Sequence, residues 1–88
     1  MTFAEVKKIL DMAKFDMDYC SILEESTTKE GSGVVALLKN GVYKIYNTDR
    51  NEPFNIQEYT SEDAASREFY KRILFSFKKF YNLPESIL

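Results

Sequence analysis

The order of apolar and polar residues predicts a helix at each end of the chain with strands between them. Thr2 followed by Glu5 fits a capping box, in which the hydroxyl accepts from the Glu5 backbone N–H while the carboxylate reaches back. Behind it Phe3, Val6, Ile9, Leu10, Ala13 and Met17 share one side of a helical wheel, and Lys7, Lys8, Asp11 and Lys14 lie largely away from it. The spacing predicts a first helix over residues 3–14, with residues 16–18 as its frayed end or a turn. Residues 19–25 are ambiguous. Tyr19, Ser21 and Leu23 alternate with Cys20, Ile22 and Glu24, as in a strand, and a helical continuation fits as well. Residues 26–32, rich in Ser, Thr and Gly, read as a surface loop.

The sharpest local signal is Asn40-Gly41 between two β-rich runs, residues 34–39 and 42–47. Both central positions of a type I′ turn need positive φ, which Asn and Gly tolerate best, and that turn matches the twist of paired strands. It fixes the register: Lys39 faces Val42, Leu38 faces Tyr43, Ala36 faces Ile45 and Val35 faces Tyr46. One sheet face then carries Val34, Ala36, Leu38, Tyr43 and Ile45 and is expected to be core. The other carries Val35, Leu37, Lys39, Val42, Lys44 and Tyr46, half apolar and half basic.

A polar turn, residues 49–53, comes next, and its proline is expected to end strand pairing. Residues 54–59 alternate as a further strand. Thr60 or Ser61 then caps a long helix, with Glu62 and Asp63 in its positive first turn. Ala65, Phe69, Tyr70, Ile73, Leu74, Phe77, Phe80 and Tyr81 form one broad apolar stripe. Lys78 and Lys79 suit the negative end of the helix dipole, Asn82 can cap it and Pro84 stops it. Short links predict an antiparallel meander, since parallel neighbours need a long crossover. The expected architecture is a single α+β domain over residues 1–88: an N-terminal helix, an antiparallel meander of three or four strands, and a long C-terminal helix packed on one sheet face.

Composition narrows the chemistry. The 88 residues include 7 Phe and 6 Tyr, enough large rings to build one core in so short a chain. The single cysteine, Cys20, has no partner for an internal disulfide, the opening residues are charged throughout, and no run approaches the ~18 apolar residues that span a bilayer. A cytoplasmic setting is the expectation. A net charge of −2 is too near balance for nucleic-acid binding by charge alone. Residues 1–30 hold seven acids against four lysines, whereas residues 61–88 hold five bases against four acids.

The chain contains no histidine. That removes Ser-His-Asp and Cys-His nucleophiles, the usual neutral-pH base and most zinc sites. Cys20 reads as a small buried residue. Gly31-Ser32-Gly33 is followed by a strand and not by the helix a phosphate loop requires, so it reads as a turn. Asp16 with Asp18, and Glu24 with Glu25, read as a solvated face or an acidic patch for a basic partner, because neither pair sits in an apolar setting that would raise a carboxyl pKa. Asp16 and Asp18 lack the glycine and terminal Glu of a calcium loop. No catalytic residue, cofactor or metal is expected. Tyr46 with Lys39 and Lys44 could stack and hold a nucleic-acid strand, which makes a small regulatory nucleic-acid-binding protein the alternative function. Phe75 lies opposite the apolar stripe among Lys71, Lys78, Lys79 and Glu68; it reads as an isolated exposed ring that needs no explanation, as a protein-binding anchor, or as a ring covered by the C-terminal Ile87-Leu88 tail.

Residues 41–51, Gly-Val-Tyr-Lys-Ile-Tyr-Asn-Thr-Asp-Arg-Asn, followed by Tyr59-Thr60-Ser61-Glu62-Asp63-Ala64-Ala65 and Phe69-Tyr70, resemble the small bacterial immunity proteins of polymorphic toxin systems. The resemblance covers the second half of the chain, and this sequence differs in having no tryptophan in the aromatic strand. It implies a cytoplasmic protein that binds one cognate toxin domain and blocks it. Placed by exposure and charge, the expected docking residues are Asp16, Asp18, Glu24 and Glu25 on one side, and Lys44, Tyr46, Asp49 and Arg50 on the second sheet face and its turn, with Phe75. An uncovered second face would also suit a homodimer.

Overall fold

The computed structural model describes residues 1–24 and 27–88. The chain runs as helix α1 (Phe3–Met12), a single 3-10 turn (Met17–Tyr19), strands β1 (Cys20–Ile22), β2 (Gly33–Lys39), β3 (Val42–Asp49) and β4 (Glu52–Tyr59), and helix α2 (Glu62–Phe77). The α+β class follows from this order, as the sequence predicts. No helix among the described residues is long and apolar enough to cross a membrane.

Both predicted helix starts form. Thr2 and Glu5 close the capping box, and Ser61, not Thr60, caps α2 by accepting from the Ala64 N–H. Both helices end earlier than the sequence suggests. Helix α1 stops at Met12, where Lys14 takes a φ of 57° that turns Phe15 back into the core. Helix α2 stops at Phe77, with Lys78 as its C-cap in place of Asn82. Packing supplies the reason. Tyr81 leaves the helical line to set its ring against Phe15, centroids 4.8 Å apart, and its hydroxyl accepts from the Asp16 N–H. Tyr70 in turn donates to the Pro84 carbonyl at 2.6 Å. Phe80, predicted to extend the stripe, is left exposed.

The sheet order is β1-β2-β3-β4, and the β2–β3 register is the one the Asn40-Gly41 turn predicts. Asn40 and Gly41 both take positive φ, and Arg50 and Asn51 do the same between β3 and β4. The predicted pure meander is corrected at one edge: β1 runs parallel to β2, Cys20 beside Val34 and Ile22 beside Ala36. A three-residue strand needs only a short return before β2 begins at Gly33. Leu23 reverses at a φ of 62° and donates to the Ala36 carbonyl, and the Glu30 N–H then binds the Asp18 carbonyl. Pro53 does not end pairing either. It sits within β4 opposite Thr48, which an edge strand permits because no further neighbour requires the missing N–H.

The core lies between the helices and one sheet face. Phe3, Val6 and Leu10 from α1 meet Val34, Ala36 and Ile45 from the sheet and Ala65, Phe69, Tyr70 and Ile73 from α2. Burying each large side chain contributes about 1.5–3 kcal/mol. Leu38 reaches past the helices and is exposed, so this face is core over its middle and not to its end. The second face is also partly closed. Val35, Tyr46 and Thr48 are buried there, with Thr28 bound through its hydroxyl to Thr48 and to the Ser32 carbonyl. Residues 27–32 form the expected surface loop, with Thr27, Lys29 and Glu30 exposed, and Thr28 pins it to the sheet; Ser26 lies outside the described residues.

Gly33 holds this arrangement at its tightest point. A Cβ there would lie 1.8 Å from the Tyr19 carbonyl oxygen, and its φ is 142°. Gly41, by contrast, has nothing within 4 Å of the equivalent position. The expected outcome of Gly33→Ala is a loss of at least about 2–3 kcal/mol, or roughly 10 °C or more in Tm, against about 1 kcal/mol for Gly41→Ala. Thermal unfolding of the two variants checks this; equal losses would contradict the close approach.

Candidate functional site

Helix α2 presents a buried cation to the sheet. Arg72, only 7% exposed, donates through Nε to Glu68 one turn earlier at 2.8 Å. One terminal nitrogen donates to the Ile45 carbonyl (3.2 Å), the Asn47 side-chain oxygen (3.0 Å) and the Asn55 carbonyl (2.8 Å). One guanidinium thus binds α2, β3 and β4 together. Its charge is compensated by Glu68, the condition under which a buried cation is tolerated. The Asn55 carbonyl is available because β4 bulges: Asn55 and Ile56 together oppose Tyr46, and Asn55 takes a φ of 56°.

Outside this anchor lies a groove of about 510 Å³ between α2 and β4. Phe54 and Phe75 form its apolar rim, 51% and 87% exposed, and Asn47, Asn55 and Arg72 form its floor. Lys71, one turn before Phe75, stands at the edge. Among the described residues it has no carboxylate within ion-pair distance, whereas Arg67, Arg72 and Lys78 are each paired. An open apolar groove with one unpaired cation can seat an apolar side chain and bind an acidic group beside it.

The residues singled out from the sequence are scattered by the fold. Phe75 is in the groove, exposed and not covered by the C-terminal tail. Lys44 is exposed on the second face, 3.9 Å from Glu58. Asp49 and Arg50 are exposed at the β3–β4 turn. Tyr46 corrects the expectation of an open basic-aromatic face: it is only 7% exposed, and burial pushes its hydroxyl pKa up. Asp16 caps the 3-10 turn by accepting from the Asp18 N–H, so this pair has a local structural use. Glu24 is exposed just past β1, and Glu25 lies outside the described residues. The acidic residues flank β1, three strand spacings or about 14 Å from β4, so they and Phe75 do not make one surface.

Sequence reasoning missed Phe54, Lys71 as a groove residue, and Arg72. Phe54 alternates like any strand residue, and no local signal distinguishes Arg72 from the solvated bases of α2. The one available hint is the Glu68–Arg72 spacing of four, which reads equally well as a surface pair.

Cys20 is buried, and its thiol is pushed up to about 12 by that burial and then by Asp16 and Asp11. Among the described residues no group of three or more carboxylate or cysteine side chains could hold a metal ion. At pH 8 only about 10⁻⁴ of such a thiol is ionised, so Cys20 is expected to resist a disulfide reagent in the folded protein and to react at the rate of a free thiol in denaturant. A thiol titration with and without urea checks this; equal rates would contradict it. Compared with known protein families, with curated proteins and with solved structures, the chain finds no match.

Proposed function

We propose that this chain is a non-catalytic protein-binding module, an immunity protein that binds and neutralises a cognate bacterial toxin domain in the cytoplasm. The observation that carries the reading is the α2–β4 groove, where Phe75 stands almost fully in solvent beside Phe54 and the unpaired Lys71. A ring held so far out of the core on a helix otherwise buried along one side is a cost in water that a partner removes. Two further observations support it. The chain has no histidine and its one thiol is buried and hard to ionise, so surface complementarity is the tool its residues offer. The aromatic strand and capped helix that carry the resemblance are β3 and α2, the two elements joined by Arg72. The nucleic-acid alternative loses its stacking ring, because Tyr46 is buried and Lys39 and Lys44 stand without it.

Co-expression with the toxin-domain proteins encoded beside this gene tests the proposal. The wild-type chain is expected to restore growth. Phe75→Asp is expected to abolish protection with an unchanged circular dichroism spectrum, since an anchor of this kind accounts for about 2 kcal/mol or more of binding. No protection by the wild-type chain, or full protection by Phe75→Asp, would overturn it.

A further inference from the structure

We infer that the groove is a contact surface between two copies of this chain, paired face to face about a two-fold axis along the groove, so that Phe75 of each copy packs on Phe54 of the other. Such pairing goes beyond the protein-binding reading above and does not rest on it. The two walls of the groove differ in sign. On the helix wall Lys71, Phe75 and Lys79 follow one another at intervals of four, and all are exposed. On the strand wall, Asn47 is paired with Phe54 and Asp49 with Glu52. Alternation therefore sets both carboxylates on the same side as Phe54, the side that faces α2. Asp49 and Glu52 are exposed and directly opposite each other, an unfavourable placement for like charges in a sheet. Among the described residues neither of these acids, nor Lys71 or Lys79, has an opposite charge within ion-pair distance.

Position along the groove selects the second copy as the occupant. Helix α2 starts beside the Tyr59 end of β4 and runs back along it, since Arg72 bonds Asn55 and Phe75 shares the groove with Phe54. The Lys78 N–H still bonds the Leu74 carbonyl, so the helical line continues past Phe77. One turn beyond Phe75, about 6 Å, brings Lys79 level with Glu52, which is about 7 Å along the strand from Phe54. A copy turned over about the groove axis lays its helix wall on this strand wall at the same level. Phe75 then meets Phe54, Lys79 meets the Asp49–Glu52 pair, and Lys71 stands beside the neutral Gln57, each contact occurring twice. An axis across the groove would instead set helix on helix, with Lys71 against Lys79. The face is self-complementary in one arrangement only. Phe75 and Phe54 are 87% and 51% exposed, so the four rings bury on the order of 500 Å² of apolar area, against the ~1,200 Å² at which stable interfaces begin. The dimer is therefore weak, with a Kd of about 10 µM to 1 mM, and a tighter partner displaces it from Phe75.

Sedimentation equilibrium of the full chain over about 10 µM to 2 mM tests this, a range that brackets the expected Kd. The wild-type chain is expected to pass from monomer to dimer across it and to form nothing larger. Phe75→Asp should stay monomeric with an unchanged circular dichroism spectrum. Lys79→Glu, and separately the double variant Asp49→Lys/Glu52→Lys, should each weaken self-association about tenfold or more. Mixed in equal amounts, these two charge variants are expected to regain dimers close to wild-type strength, because each then offers the other the opposite sign at both ends of the contact. A wild-type chain that stays monomeric at the highest concentration would overturn the inference. So would a dimer that survives Phe75→Asp, a charge-variant mixture no tighter than its components, or growth into larger assemblies. The two proposals fail separately. A dimer with these properties and no protection of toxin-expressing cells would remove the immunity role alone. Protection that depends on Phe75, from a chain that is monomeric throughout, would remove the dimer alone.

Discussion

The guanidinium of Arg72 is the constraint around which the α2–β4 side of this molecule is organised. A cation removed from water must find both a counter-charge and acceptors for its N–H groups, and Arg72 finds them on three elements. Glu68 supplies the charge from the same helix, and β3 and β4 supply the acceptors. Removing one member of such a buried set costs about 3–5 kcal/mol, because what remains is left uncompensated. The bulge in β4 belongs to the same arrangement, since it delivers the Asn55 carbonyl to the guanidinium and aims Phe54 toward the helix side.

The opposite edge of the sheet is held by different means. Strand β1 is only three residues long and contributes little pairing by itself. It is kept in place by backbone bonds from Leu23 and Glu30, by the close approach of Gly33 to Tyr19, and by the Phe15, Phe77 and Tyr81 rings behind it. One edge is therefore crowded and wrapped, with Cys20 buried inside. The other is fastened at a single polar anchor and left open along its outer side. That asymmetry directs the search for a docking surface to β4, away from the acidic residues around β1, where the Asp16 carboxylate is engaged in local structure.

Much of this fold was legible in the sequence because it is written in local rules. The capping box at Thr2 and Glu5, the Asn40-Gly41 hairpin with its register, and the apolar stripe of α2 each depend on neighbours a few residues apart. What was not legible depends on distant partners. Nothing near Cys20 indicates that it pairs in parallel with Val34, since the return is stabilised by Gly33 and Tyr19 only once they meet. The burial of Thr48 comes with Thr28 folding back onto it from a loop twenty residues away. Phe75 was recognisable because the helical wheel alone sets it opposite the core; Phe54 joins it only through the bulge and Arg72.

Taken together, a helix and a bulged edge strand are joined by the hydrogen bonds of one guanidinium, and the shape of the groove between them depends on Arg72. Amide hydrogen exchange on an Arg72→Met variant tests this most directly, because methionine keeps apolar bulk while removing every donor. Protection is expected to collapse in β4, from residue 54 to residue 59, while β2 and the first half of β3 retain most of theirs. Unchanged protection in β4, or a uniform fall across all four strands, would contradict the role assigned to the guanidinium.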